Sequence, residues 1–440
     1  MVEIHEVEQI CGNVMMSIRD RLKRRPPVNR EPNIYRVPKL LREMNNKAYI
    51  PQVISIGPFY HRSPDLITTE HYKVQGLNNF LIRLSNKMEC LNNPRNPLEV
   101  LVRNTQSYVE EYRNCYAEPI NMNDKDFIEM MIVDGGFIVE FLILYYGQYK
   151  PNVFPTLSSN VDYSFYKRIP DIDLDLIKLE NQIPFSVLER MFKLILEDDT
   201  SLSIIHLAYV FLQHGLIHPY ELSTPLPRTS NHFVDFLSLY FVVPKESSVI
   251  NIDETDFPIP PSITKLCQAG IIIKKAEDAK FVMDLSFKNG VFKIPPLHID
   301  DNFETMIRNL IAFEQISLAK ESKCTQYITF MDYLISTEED VNLLENAGII
   351  INDIGGSAKE VSKLFNDLCK FATVPYDTHF NYISAGLNEH CNRRWNNAKA
   401  ILKRDYFYTP WACVAAFGAI SVIILAFLQT IFTGISTFQK

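Results

Sequence analysis

The chain has 440 residues, 47% of them hydrophobic and 22% charged. This balance excludes a mostly disordered polymer and supplies enough apolar mass for a large buried core. With 44 basic against 52 acidic residues the formal charge is -8, which argues against a general nucleic-acid binder.

Residues 1–32 read as a peripheral segment. A short amphipathic start carries acidic residues throughout, so it is no signal peptide, and the basic, proline-rich run RLKRRPPVNREP follows. That run reads as a solvated linker in preference to a lipid-headgroup contact. Residues 33–221 form a helix-dominated first half of the body. LITTEHYKVQGLNNFLIRL has apolar residues at helical spacing, and DKDFIEMMIVDGGFIVEFLILYYGQY is a long apolar run interrupted by Asp134, Gly135, Gly136 and Glu140. The interruptions make it a helix buried inside the body, not a membrane span. In DLDLIKLENQIPFSVLERMFKLIL, Pro184 suits the first turn of a new helix with Leu188, Met191, Phe192 and Ile195 on one face.

Residues 222–408 read as a mixed second half packed on the first. SITKLCQAG is a short helix leading into IIIKK. FVMDLSFKNGVFKI is a hairpin around Asn289-Gly290. LLENAGIIIN echoes the first unit, with Gly270 and Gly348 as left-handed helix caps. The fold class expected is therefore mainly α with short β hairpins, plus one C-terminal transmembrane helix.

That last element is the run from Trp411 to Phe432, which carries no charge. As a helix it is about 33 Å long, enough for a hydrocarbon core of about 30 Å. Tyr406, Phe407, Tyr408 and Trp411 suit an aromatic belt, and Pro410 suits a first turn. Residues 409–433 are thus expected to be a single-pass tail anchor, with the bilayer as a partner and 434–440 as a short tail. Arg393, Arg394, Lys399, Lys403 and Arg404 precede it and only Lys440 follows, which places the body in the cytosol. Ala412, Ala415, Ala416 and Ala419 would let two such helices pair, although lipid-facing alanines are the favoured reading. No asparagine is followed two places later by Ser or Thr, which also favours the cytosolic side.

The familiar chemistries find little support. Cys11, Cys90, Cys115, Cys267, Cys324, Cys369, Cys391 and Cys413 include no C-x-x-C pair, so they read as reduced, mostly buried thiols. Phosphate-loop, zinc-protease, hydrolase-elbow and kinase-loop patterns are missing from the sequence. Asp171, Asp173 and Asp175 resemble the opening of a calcium loop, but Leu176 and Gln182 stand where Gly and Glu are needed, so a solvated acidic edge is favoured. Gly355-Gly356 before a helix start would cradle a phosphate, but Ser357 and Glu360 already make a capping box there. His206, His214 and His218 read as helix-end and core histidines, since Gly215 and Pro219 spoil the helical turn a metal pair needs. No cofactor, metal ligand or catalytic residue is assigned.

Several segments in order resemble a plant family known as domain of unknown function 247. They are Ile34–Pro38, Tyr49-Ile50-Pro51, Ser55-Ile56-Gly57-Pro58-Phe59-Tyr60-His61, Glu70-His71-Tyr72-Lys73 and Asp134–Phe137. Leu179-Glu180-Asn181-Gln182-Ile183-Pro184, Asn289-Gly290, Ile294–Leu297 and Arg308–Gln315, with Asn309 and Glu314, complete the set. The resemblance runs from about Ile34 through the terminal segment; it departs from the usual pattern at Phe59, and Gly136 is a variable position. It implies a membrane-associated plant protein without an agreed activity, at the plasma membrane, and some family members sit at self-incompatibility loci of grasses. Physically, SIGPFYH joins a turn to aromatic anchors, and Asn181 and Gln182 can cap backbone groups before Pro184, so scaffold is the favoured reading.

Two functions follow as expectations. The first is a membrane-tethered interaction or signalling module with a cytosolic protein partner and no nucleic acid. The second is a membrane-surface enzyme acting on a lipid or small molecule, with Glu70, His71 and His61 as acid-base groups. Convergence of those three in one concave site would favour the enzyme.

Overall fold

Apolar runs broken by few glycines and prolines make the first half a set of helices: α1 (Val2–Lys23), α2 (Lys39–Met44), α3 (Glu70–Cys90), α4 (Pro97–Gln106), α5 (Val109–Arg113), α6 (Asp124–Tyr149), α7 (Ile169–Leu176), α8 (Phe185–Ile195) and α9 (Ile204–Gly215). These come from a computed structural model, which describes residues 2–23, 32–91, 95–150, 153–154, 169–196, 202–215, 226–241, 258–317, 321–374, 379–393 and 410–438. Asn123 caps α6 by accepting the Asp126 amide, and α6 is then buried along most of its length. A helix wrapped on all sides needs no polar face, which is why its apolar residues show no helical stripe. α3, α4, α8 and α9 pack around it. α8 and α3 come close because Gly135 and Gly136 have no side chain; a Cβ at either would lie 2.5 Å from Met191 Sδ or 2.6 Å from Leu77 Cδ1.

The polar interruptions of that run are matched from α3. Glu140 takes both arms of the Arg83 guanidinium at 2.7 and 3.1 Å, and Asp134 takes Lys73 Nζ at 2.8 Å. An acid on a buried helix is tolerable only with such a partner.

The second half continues with α10 (Phe233–Leu237), α11 (Ile263–Gln268), α12 (Phe303–Ile316), α13 (Lys323–Leu334), α14 (Glu338–Asn346), α15 (Ala358–Leu368) and α16 (Asn381–Asn392), and ends in α17 (Pro410–Phe438). Its strands are β1 (Ile272–Lys275), β2 (Ser286–Lys288), β3 (Val291–Ile294), β4 (Leu297–Ile299) and β5 (Ile350–Asn352). β2 and β3 form the hairpin expected at Asn289-Gly290, both residues having positive φ, 52° and 75°. The echoed units are also structural: α11 and α14 each turn through a glycine, with φ of 84° at Gly270 and 67° at Gly348. Each then enters a strand that pairs in parallel, β1 on β3, the middle strand of a three-stranded sheet, and β5 on β4 in a two-stranded sheet. Asp340 ties the two units together, accepting the Thr264 amide at 2.7 Å with one oxygen and the Thr337 amide at 2.9 Å with the other. The two halves meet where Phe233 stands edge-on to Phe185 at 4.8 Å and Asn45 donates to Glu304 at 2.9 Å.

Two expectations need correction. The transmembrane helix from Trp411 to Phe432, and with it the tail anchor, is not supported: among the described residues no helix is long and apolar enough to cross a membrane. α17 is helical from Pro410 to Phe438. The cysteines are also less buried than expected. Cys324 is buried, Cys115, Cys267, Cys369 and Cys391 are half-buried, and Cys11 and Cys90 are exposed, none of them in a disulfide.

Candidate functional site

The sequence LENQIP lies in the tight connection between α7, which ends at Leu176, and α8, which starts at Phe185. Pro184 sits one residue ahead of α8 with φ -60°, not inside its first turn. So sharp a connection strands backbone carbonyls, and buried ones require partners. Gln182 Nε2 donates to the Leu176 and Lys178 carbonyls at 2.6 and 2.9 Å, and Asn181 Nδ2 to that of Asp175 at 2.9 Å.

The same side chains also reach across the chain. Residues 45–63 run beside this connection with only one short 3-10 turn, so their amides have no ladder to join. Asp175 accepts the amides of Gln52, Val53 and Ile54 at 2.9, 2.6 and 2.8 Å, with Lys178 Nζ 2.9 Å away. Asn181 brackets Ile54–Ile56 as a strand neighbour would, accepting the Ile56 amide at 2.7 Å and donating to the Ile54 carbonyl at 3.0 Å. Glu180 accepts the Val37 amide at 2.7 Å and the Tyr60 hydroxyl at 2.8 Å, and also holds the Arg42 guanidinium. Asn309 on α12 adds the second half: it accepts the Leu179 amide at 2.9 Å and donates to the Ala48 carbonyl at 2.8 Å. Leu179 itself is wholly buried.

Gly57 is held by the Asp134 carboxylate, which accepts its amide at 2.8 Å. Its φ is +75°, and a Cβ there would run into the Gln182 carbonyl oxygen, so both conformation and space demand glycine ahead of Pro58. Phe59 then packs edge-on to Tyr116 at 5.7 Å with the Arg36 guanidinium 4.4 Å above its ring. Glu314 performs a similar service elsewhere, accepting the amides of Cys324 and Thr325 at 2.8 Å at the start of α13; burial pushes its carboxyl up to about 7.

Of the three proposed acid-base groups, His61 lies near Glu70, but the exposed His71 does not join them. Glu70 accepts the Ser55 hydroxyl at 3.0 Å and pairs with Lys73 at 2.8 Å. His71 is exposed, its Nδ1 2.7 Å from the Thr68 carbonyl and its ring against Tyr72. His61 is half-buried near Asp134, Lys73 and Glu70; its Nδ1 has no partner, and burial lowers its pKa so that the imidazole is neutral. Burial works against the Lys73 ammonium, but Asp134 and Glu70 outweigh it and raise its pKa. A lysine held charged in this way cannot take a proton from Ser55, 3.3 Å away, and Ser55 is itself buried.

The weaker candidates resolve as follows. Asp173 and Asp175 lie on α7 and are buried, which corrects the expectation of a solvated edge; Asp175 is turned to backbone amides. At the α15 start Glu360 accepts the Ser357 amide at 2.8 Å, so the place a phosphate would take is occupied. His206 bonds Ser203 at 2.8 Å, while His218 and the His214 side chain lie outside the described residues.

Asp175, Lys178, Arg42 and Tyr60 were not legible as members of this network. The available signal was indirect: acids at Asp134 and Glu140 inside an apolar run require cations such as Lys73 and Arg83 on a neighbouring helix.

No solved structure matches the chain. A UPF0481 protein of Arabidopsis thaliana is 28% identical over 90% of this chain and 85% of its own length. A second UPF0481 protein of that plant is 22% identical over 93% of this chain and 91% of its own. The family model DUF247, described as a plant protein of unknown function, matches residues 34–425. The chain therefore belongs to the DUF247 family of plant proteins of unknown function.

Proposed function

We propose that this protein is an interaction or recognition module whose body presents a fixed surface to a protein partner. One observation carries the reading. The polar side chains of the shared motifs, Glu180, Asn181, Gln182, Asn309 and Glu314, are turned inward and bonded to backbone groups. Side chains that satisfy irregular backbone fix the shape of a surface and are not free to act on a substrate.

A second reading rests on His61, whose unpartnered Nδ1 and neutral ring suit a proton acceptor. The two readings separate on variants. As an interaction module, the full chain fused to a proximity-labelling enzyme in plant cells enriches a specific protein set. That set survives His61→Ala and disappears with Asn181→Ala in step with the loss of folded protein. If incubation with a plant metabolite extract shows turnover that His61→Ala abolishes at unchanged thermal stability, the enzyme reading replaces it.

A further inference from the structure

The expected short amphipathic start is a helix of 22 residues, α1. Every side chain described on it, from Ile10 to Asp20, is exposed. Ile10, Val14, Met15 and Ile18 are 59%, 50%, 50% and 51% exposed. A lone helix of this length is marginal in water, and Gly12 in its middle weakens it further. An amphipathic helix gains stability by covering its apolar face, so α1 calls for a partner.

The spacing says what kind. Cys11, Val14 and Ile18 are separated by three and four residues, and the same spacing runs back in the sequence through Val7 and Ile4. Alternating threes and fours average about 3.5 residues per turn, the period of helices wound around one another. Charge then selects the partner and its direction. Glu3, Glu6 and Glu8 fall in the first half of α1, and Arg19, Arg21 and Lys23 in the second, with Asp20 the one exception there. A parallel copy would set acid on acid and base on base. An antiparallel copy sets acid on base at both ends and also opposes the two helix dipoles.

We propose that α1 is a homodimerisation element that pairs antiparallel with α1 of a second copy, bringing Cys11 beside Val14 of that copy. The proposal concerns self-association and stands whether or not the body is a recognition module.

The test uses the full chain with the exposed Cys90 replaced by Ser. Light scattering after size exclusion should give a dimer mass at low salt, with dissociation strengthened at least about tenfold at high salt because salt screens the attraction between the oppositely charged helix ends. Val14→Glu should give a monomer whose body unfolds at the unchanged midpoint. Under mild oxidation Val14→Cys should form a covalent dimer through Cys11 of one copy and the new thiol of the other. Val14→Cys with Cys11→Ser should not. A monomeric parent at every salt concentration overturns the proposal, as does a dimer that survives Val14→Glu. A covalent dimer of the Val14→Cys/Cys11→Ser variant shows parallel pairing and overturns it too. So does a monomeric parent that floats with phosphatidylserine vesicles, which would make the apolar face a lipid contact.

Discussion

Replacing Asp175 by Asn keeps the side chain's shape but removes its charge and turns one acceptor into a donor. In the native structure the carboxylate accepts three amides, those of Gln52, Val53 and Ile54, and faces Lys178 Nζ at 2.9 Å. The Lys178 side chain is only 3% exposed, and after the substitution its ammonium keeps the Ile50 carbonyl at 2.7 Å. Hydrogen bonds to a charged acceptor contribute roughly 1.5–3 kcal/mol each, and stranding a buried charge costs roughly 3–5 kcal/mol. These contributions overlap, so Asp175→Asn should cost about 4 kcal/mol, a large part of a typical stability of about 5–15 kcal/mol. Adding Lys178→Met removes the stranded charge and should restore about 2 kcal/mol of that loss. Urea unfolding followed by circular dichroism measures both. A loss below about 1 kcal/mol for Asp175→Asn, or a double variant as weak as the sum of its singles, refutes the reasoning.

Further outcomes are expected from the same network. Gly57→Ala should cost at least about 3 kcal/mol, from the left-handed conformation and the collision with the Gln182 carbonyl together; a loss under about 1 kcal/mol contradicts the close approach. Arg83→Met should cost about 3 kcal/mol by leaving Glu140 buried and unpaired, while Arg83→Met with Glu140→Met should return to within about 1 kcal/mol of the parent, as unfolding midpoints will show. Burial lifts the Asp173 carboxyl from 3.8 to about 7, and its Oδ1 has no partner. Because the folded pKa lies above the unfolded one, the native state holds the proton longer, so stability falls as pH rises through that window and levels off above it. The full cost is on the order of 4 kcal/mol. Glu314, also raised to about 7, gives a slope of the same sign. Asp332, raised to about 6, adds to the same slope, so Asp173→Asn should remove roughly a third of the decline in urea stability between pH 4.5 and pH 8; an unchanged slope shows that Asp173 does not titrate there.

What the sequence made legible was local. The Asn289-Gly290 hairpin, the glycine caps at 270 and 348, and the Ser357–Glu360 capping box each depend on a few adjacent residues, and the structure has all of them. The buried helix α6 was readable because Asp134 and Glu140 interrupt an apolar run too often for a membrane. The site was not readable in the same way. Asn181 meets Ile56 across 125 positions, and Asn309 meets Ala48 across 261. No periodicity encodes which distant amide a carboxamide will find. Asp173 and Asp175 were misread as solvated because acids usually are; only the bare amides of residues 52–54 explain why Asp175 is buried. The apolar terminal run suggests a membrane span by its hydropathy, yet among the described residues no helix is long and apolar enough to cross a membrane.

The polar side chains of LENQIP, with Asp134 and Asp175, hold residues 37–57 in place. Amide hydrogen exchange on the full chain tests it directly, read at Val37, Ile54, Ile56 and Gly57 in the parent and in Asn181→Ala. All four amides should exchange only through global unfolding in the parent, and Asn181→Ala should release Ile56 first and most. Fast exchange at these amides in the parent, or protection at Ile56 that Asn181→Ala leaves unchanged, would contradict it.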